Sequence, residues 1–105
     1  MTNTEIDRKL ALAIGYVPED IAVTRFGTYV RRYITGGHGY YIFSHQDPTV
    51  ILPIMERYDC LPHKLANGEW ASYFEDMPGV AQGVHTNPRT AAALAVIKAK
   101  EMGLI

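Results

Sequence analysis

Residues 67–74, Asn67-Gly68-Glu69-Trp70-Ala71-Ser72-Tyr73-Phe74, set the frame for the whole chain. Asn-Gly is the dipeptide a type I′ hairpin turn prefers, because both central residues of that turn need positive φ. Glu69 to Phe74 then alternates, with Trp70, Ser72 and Phe74 on one face and Ala71 and Tyr73 on the other. This stretch predicts a hairpin with His63 to Ala66 as its first strand. It places the only Trp of the chain in the core of the fold.

The flanking segments read as helices and further strands. Downstream, Glu75 to Gly83 reads as a mobile loop, and Asn87-Pro88 opens the last helix, with a capping side chain followed by proline at the first helical position. Ala92, Ala95, Val96, Ala99 and Met102 form a narrow stripe suited to close packing on a sheet, and Gly103 ends the helix. Upstream, Asp47-Pro48 repeats the same start, and Ile51, Ile54, Met55 and Tyr58 form a stripe. Pro53 predicts a break or kink near Leu52, since an interior proline costs about 3 kcal/mol.

Residues 3–14 predict a helix with the stripe Ile6, Leu10, Ala13, Ile14, capped by Thr2 with Glu5 or by Asn3 or Thr4, and stopped by Gly15. Ile21 to Phe26 predicts a short strand. Tyr29 to Ile34 and Tyr40 to Ser44 predict a hairpin around the flexible turn Thr35-Gly36-Gly37-His38-Gly39. The order helix, two or three strands, helix, two strands, helix gives an α+β fold. Its expected form is an antiparallel sheet of about four strands covered by helices, an α/β/α sandwich in one domain spanning 1–105.

Composition narrows the function. Of the 105 residues, 48% are hydrophobic and 20% charged, which describes a globular chain rather than a disordered one. The net charge is −1, so phosphate-driven nucleic-acid binding is disfavoured. Apolar runs are too short for a membrane span and no signal-peptide pattern opens the chain. With one cysteine, no internal disulfide can form, and the cytoplasm is the expected compartment.

No catalytic or metal motif stands out. Cys60-Leu61-Pro62-His63 has the spacing of half a zinc site, but no second pair completes it, and no metal or other cofactor is expected. As a nucleophile Cys60 would need a base and an electropositive setting; His63 is near in sequence but no oxyanion-hole motif accompanies it, so Cys60 reads as an inert, buried thiol. Glu69, Glu75 and Asp76 cluster in sequence without a defined separation.

The Arg- and Tyr-rich hairpin carries the most chemistry. Arg forms bidentate bonds to phosphate and Tyr offers a flat face to a base. Arg31 and Arg32 fall on opposite strand faces, whereas Tyr29, Arg31 and Tyr33 share one. With the turn residues Gly36, Gly37 and His38, and with Arg89 at a helix N-terminus, they make a candidate site for a small anionic ligand. The competing reading is a half-exposed sheet whose arginines cover its tyrosines.

A wider pattern joins these pieces. It comprises a first helix ending in Gly15-Tyr16, Phe43 followed by Asp47-Pro48, Pro53-Ile54-Met55-Glu56, Gly68-Glu69-Trp70-Ala71, and Asn87-Pro88-Arg89-Thr90-Ala91-Ala92. It resembles the NinX-like small phage proteins and the related phage "ABA sandwich" domain. The Thr28–Tyr41 hairpin and the residues before Pro53 depart from that family's pattern. The resemblance implies a sheet between helical layers, a bacteriophage or prophage origin, the cytoplasm of the infected host, and an accessory role with no assigned enzyme activity. On that basis the expected function is non-enzymatic counter-defence by sequestering a nucleotide-derived signal. The alternative is inhibition of a host defence or phage protein, with a homo-oligomer also possible. An enzyme such as a small nuclease or hydrolase is disfavoured, since no metal triad or activated nucleophile is present.

Overall fold

The computed structural model describes residues 1–105, the side chain of Ile34 excepted. Three helices, α1 (Asn3–Ala13), α2 (Pro48–Arg57) and α3 (Pro88–Glu101), combine with six strands. These are β1 (Ile21–Thr24), β2 (Gly27–Ile34), β3 (Gly37–Ile42), β4 (His63–Lys64), β5 (Trp70–Tyr73) and β6 (Gln82–His85). No helix among the described residues is long and apolar enough to cross a membrane.

The helix starts follow from their caps. Thr2 Oγ1 accepts from the Glu5 N–H at 3.1 Å, and Asp47 Oδ1 accepts from the Thr49 N–H at 2.9 Å. Asn87 Oδ1 accepts from both Arg89 and Thr90 N–H groups, at 2.9 and 3.2 Å. Each of these bonds satisfies an N–H that the helix itself leaves open. α2 runs unbroken through Pro53, so the break expected near Leu52 is absent. The proline is exposed and α2 buries Ile51, Ile54 and Met55 on its other side, which offsets the one backbone bond it lacks.

The fold is α+β, but the strands form two three-stranded antiparallel sheets, β1-β2-β3 and β4-β5-β6, in place of one sheet of about four. The second sheet completes itself with β6, which the sequence reading left partly in a loop. Neither sheet is sandwiched between helices. α1 packs on β1, β2 and α3, and α3 packs on β5 and β6, so the helices connect the sheets. The main core joins Leu10, Val30, Ile51 and Val96 from α1, the first sheet, α2 and α3.

Gly83 explains both the hidden strand and the close seat of α3. A Cβ at this position would lie 2.1 Å from the Ala91 carbonyl oxygen and 2.7 Å from the Ala95 nitrogen. A glycine weakens the strand signal in the sequence, yet here it lets β6 touch the alanine stripe of α3 backbone to backbone. Ala91, Ala92, Ala95, Val96 and Ala99 of that stripe are fully buried.

Two details of the opening stretch differ from expectation. The turn is a three-residue one: the Gly68 N–H donates to Leu65 O at 3.1 Å, the Leu65 N–H donates to Glu69 O at 2.8 Å, and only Gly68 has positive φ (+88°). This is the three-residue hairpin loop closed by a left-handed glycine rather than a type I′ turn. Trp70 is half-buried, with Lys64 Nζ 5.9 Å from its ring centre. It pairs with His85, two residues before the α3 cap, and so sits at the rim of the core.

Replacing Gly83 by Ala should destabilise the fold by about 3 kcal/mol, the upper end of ordinary overpacking costs. Urea denaturation reads this as a lower midpoint. An unchanged midpoint would contradict the close seat of α3 on β6.

Candidate functional site

The β2–β3 hairpin carries the sequence-predicted residues. Its register sets Tyr29 opposite Ile42, Arg31 opposite Tyr40 and Tyr33 opposite His38. Paired residues of antiparallel strands share a face, so these six side chains lie together on one side. Thr28 and Val30 point the other way and are buried. On the outward face Tyr33 is 75% exposed, Ile42 65% and Tyr40 54%. The Tyr33 and His38 rings meet edge to face at 5.2 Å.

Arg31 is already partnered. Its Nη2 and Nε lie 3.0 and 3.1 Å from Asp20 Oδ1, just before β1. The pair is solvent-exposed, so it contributes at most about 1 kcal/mol.

Gly36, Gly37 and His38 do not form a phosphate-cradling loop. Ile34 pairs with Gly37, so the turn is only Thr35-Gly36, and Gly37, His38 and Gly39 are strand residues. Their backbone groups are committed to strand geometry and cannot converge on one anion. Arg89 does not join the site either. Val30, on the inward side of β2, shares the core with Ala92, Ala93 and Val96 of α3. Arg89 therefore belongs to a helix on the side of the sheet that the outward face turns away from.

The opposite side of the hairpin is concave. A groove of about 280 Å³ lies between its inward face, the end of α1 and α2, with Val30, Phe43, Val50 and Ile54 among its walls and Arg32 at its margin. Arg32 lies 5.6 Å from the centre of the Tyr41 ring.

A buried polar constellation escaped the sequence reading. His45 Nδ1 lies 2.6 Å from Asp7 Oδ1, which also accepts from the His45 backbone N–H at 2.7 Å. On the other side of the ring, His45 Nε2 lies 2.9 Å from Thr90 Oγ1 and 3.0 Å from Gln46 Nε2. Gln46 Nε2 also donates to Thr90 Oγ1 at 3.0 Å. One direction of donation satisfies the chain: Gln46 amide to Thr90 oxygen, Thr90 hydroxyl to His45 Nε2, and His45 Nδ1–H to the Asp7 carboxylate.

Carboxylate, imidazole and hydroxyl in that order resemble a nucleophile-activating triad. Burial decides the matter. His45 is 0% exposed, Thr90 1% and Asp7 5%, so no substrate atom reaches the hydroxyl. The constellation ties α1 to α3 through the segment after β3. The one signal for it in the sequence is an acid, Asp7, inside the apolar stripe of the first helix.

Cys60 and His63 part company. Cys60 is fully buried, and burial pushes its thiol up to about 11, so the nucleophilic thiolate is scarce at neutral pH. His63 is on the surface, stacked on Tyr73 at 6.1 Å with Nε2 3.6 Å from Asp76 Oδ1. Glu69 is held by Asn67 at 2.9 Å. No group of three metal-ligating side chains is found among the described residues.

No protein-family model matches the sequence, and no curated protein matches it.

His45→Ala should cost about 3 kcal/mol, because it leaves a cavity in place of a fully buried ring and removes the ring's bonds to the Asp7 carboxylate and the Thr90 hydroxyl, and so lower Tm by on the order of 15 °C. Thermal melts followed by circular dichroism check this; a Tm within a few degrees of the parent would show that the constellation is not the tie described.

Proposed function

We propose that this chain is a non-enzymatic, phage-encoded accessory protein that acts by binding, with a host defence protein as its target. The outward face of the β2–β3 hairpin is its recognition surface. The resemblance to NinX-like phage proteins supports the accessory role in the cytoplasm of an infected host. The observation that carries the choice of partner is the shape of the hairpin face. Tyr33, Tyr40 and Ile42 stand exposed on an open strand surface.

A small ligand needs a concave site that buries most of its surface, with a few convergent polar groups. Tyr29, Arg31, Tyr33 and Tyr40 line none of the hollows described, Arg31 is paired with Asp20, and of the remaining candidates only His38 joins this face, while Gly36, Gly37 and Arg89 do not converge on it. Exposed tyrosines beside an arginine suit a protein interface, where Tyr and Arg anchors dominate the binding energy. The geometry thus favours the protein-inhibitor reading over sequestration of a nucleotide-derived signal.

The test is affinity capture from host lysate with the parent protein, a Tyr33→Ser/Tyr40→Ser variant and a Gln82→Ser control. The hairpin variant should melt like the parent and bind the captured protein about thirtyfold more weakly, the equivalent of one strong anchor at about 2 kcal/mol. The control should retain it. Equal capture by all three would refute the face. A selective rise in Tm with a cyclic di- or trinucleotide, abolished by Arg31→Ala, would instead establish the small-ligand reading.

A further inference from the structure

The same hairpin has a second feature, its unpaired edge. In the first sheet the order is β1-β2-β3, so β3 has no neighbour on its outer side. The Phe43 N–H donates to Thr28 O at 2.9 Å, which makes Thr28–Phe43 a bonded pair of the ladder. Antiparallel pairs alternate between bonded and non-bonded. Val30–Tyr41 and Arg32–Gly39 are then the bonded pairs, and His38, Tyr40 and Ile42 direct their N–H and C=O groups to the open edge.

Exposed edges are usually blocked by a charged side chain, a proline or a bulge. β3, Gly37-His38-Gly39-Tyr40-Tyr41-Ile42, has no Lys, Arg, Asp, Glu or Pro, and its register with β2 is continuous. The edge is open along its length.

The groove described above runs beside this edge, since Tyr41, Ile42 and Phe43 are among its walls. It adjoins a second hollow of about 310 Å³, which shares Ile14 and Tyr16 with it and carries Arg57. No acidic residue lines either hollow, although the chain as a whole is slightly acidic. Neither Arg32 nor Arg57 is in an ion pair among the described residues. The combined groove therefore has a mixed lining, with Val30, Phe43, Val50 and Ile54 as apolar walls of the first hollow and a cationic side chain on each of the two.

From the coincidence of an open, unblocked strand edge with a partly apolar groove that carries Arg32 and Arg57, we infer that β3 accepts an extended peptide segment of a partner protein by strand addition. The segment has apolar residues at alternate positions and acidic residues at its ends. This inference rests on the reading of the chain as a binding module and names the class of segment it takes. Main-chain bonds to His38, Tyr40 and Ile42 supply affinity. Every second side chain of the added strand falls on the groove side, where the apolar side chains of the first hollow select its chemistry. The two arginines select acidic ends and disfavour basic ones.

The experiment uses the full chain and a defined probe, the synthetic peptide Glu-Thr-Val-Thr-Val-Thr-Glu, whose two Val and two Glu share one face of an extended strand. Amide hydrogen exchange is followed residue by residue by NMR. Bound peptide should slow exchange at His38, Tyr40 and Ile42 by about tenfold or more, as strand pairing covers those N–H groups, and leave Gly39 and Tyr41 unchanged. Arg32→Ala/Arg57→Ala, or Lys in place of both Glu residues of the peptide, should weaken binding by about tenfold, the size of one modest charge contribution.

Three outcomes overturn the inference: no protection at millimolar peptide, equal binding of the acidic and basic peptides, or protection of the three amides in the peptide-free protein that rises with protein concentration, which would identify a second copy as the occupant. Tyr33→Ser/Tyr40→Ser capture distinguishes the two readings. If that variant still loses the lysate partner while the peptide fails, the outward face stands and the edge does not.

Discussion

His45 holds together the parts that everything else is built on. It sits with no exposed surface between Asp7 of α1 and Thr90 of α3. α1 carries the first sheet and α3 carries the second, so this ring joins the two halves of the molecule. A satisfied buried network is orienting as well as stabilising, because each partner has one geometry in which no donor or acceptor is stranded. No side-chain polar atom buried in the described residues lacks a partner. The alanine stripe of α3 then closes on Gly83, and the second sheet takes its position from a helix already fixed by Thr90.

The hairpin has a different physical role. Its inner end is anchored by Val30 and Phe43 in the core and by the Thr28 hydroxyl, which donates to Thr4 O at 3.2 Å. Its outer end leaves Tyr33 and Tyr40 in solvent, where they bury little area in the free protein. These exposed rings are what the proposed recognition surface rests on. The two faces of the hairpin also divide the chemistry. Tyr33, Tyr40 and a paired arginine lie outward, while the groove, with Tyr41 and Phe43 among its walls, and an arginine without an ion pair among the described residues lie inward.

Local chemistry was legible in the sequence. Thr2, Asp47 and Asn87 act on N–H groups two or three residues away, so a short window holds the information: Asp47 and Asn87 cap where the sequence places them, and Thr2 is one of the three candidates it offers for the first helix. The shared face of Tyr29, Arg31 and Tyr33 follows from strand alternation alone. What the sequence concealed depends on distant partners. β6 looks like loop because its glycine serves a helix still to come. The His45 network spans 38 residues to Asp7 and 45 to Thr90, a separation no periodicity reports. The glycine-rich turn misled for a related reason. Gly37 and Gly39 suggest flexibility, but pairing with Ile34 and Arg32 makes them strand.

A frame clamped by His45, with the outer hairpin held apart from it, makes unequal demands on stability across the chain. Native-state amide hydrogen exchange with increasing denaturant measures this directly in the free protein. Amides of Leu10 and Val96, in the helices the clamp joins, should exchange only through global unfolding. Those of Arg32 and Gly39, in the outer hairpin, should exchange through a local opening of lower free energy. If the outer hairpin proved as protected as α1 and α3, it would belong to the cooperative core, and its exposed aromatic face could no longer be set apart as a recognition element.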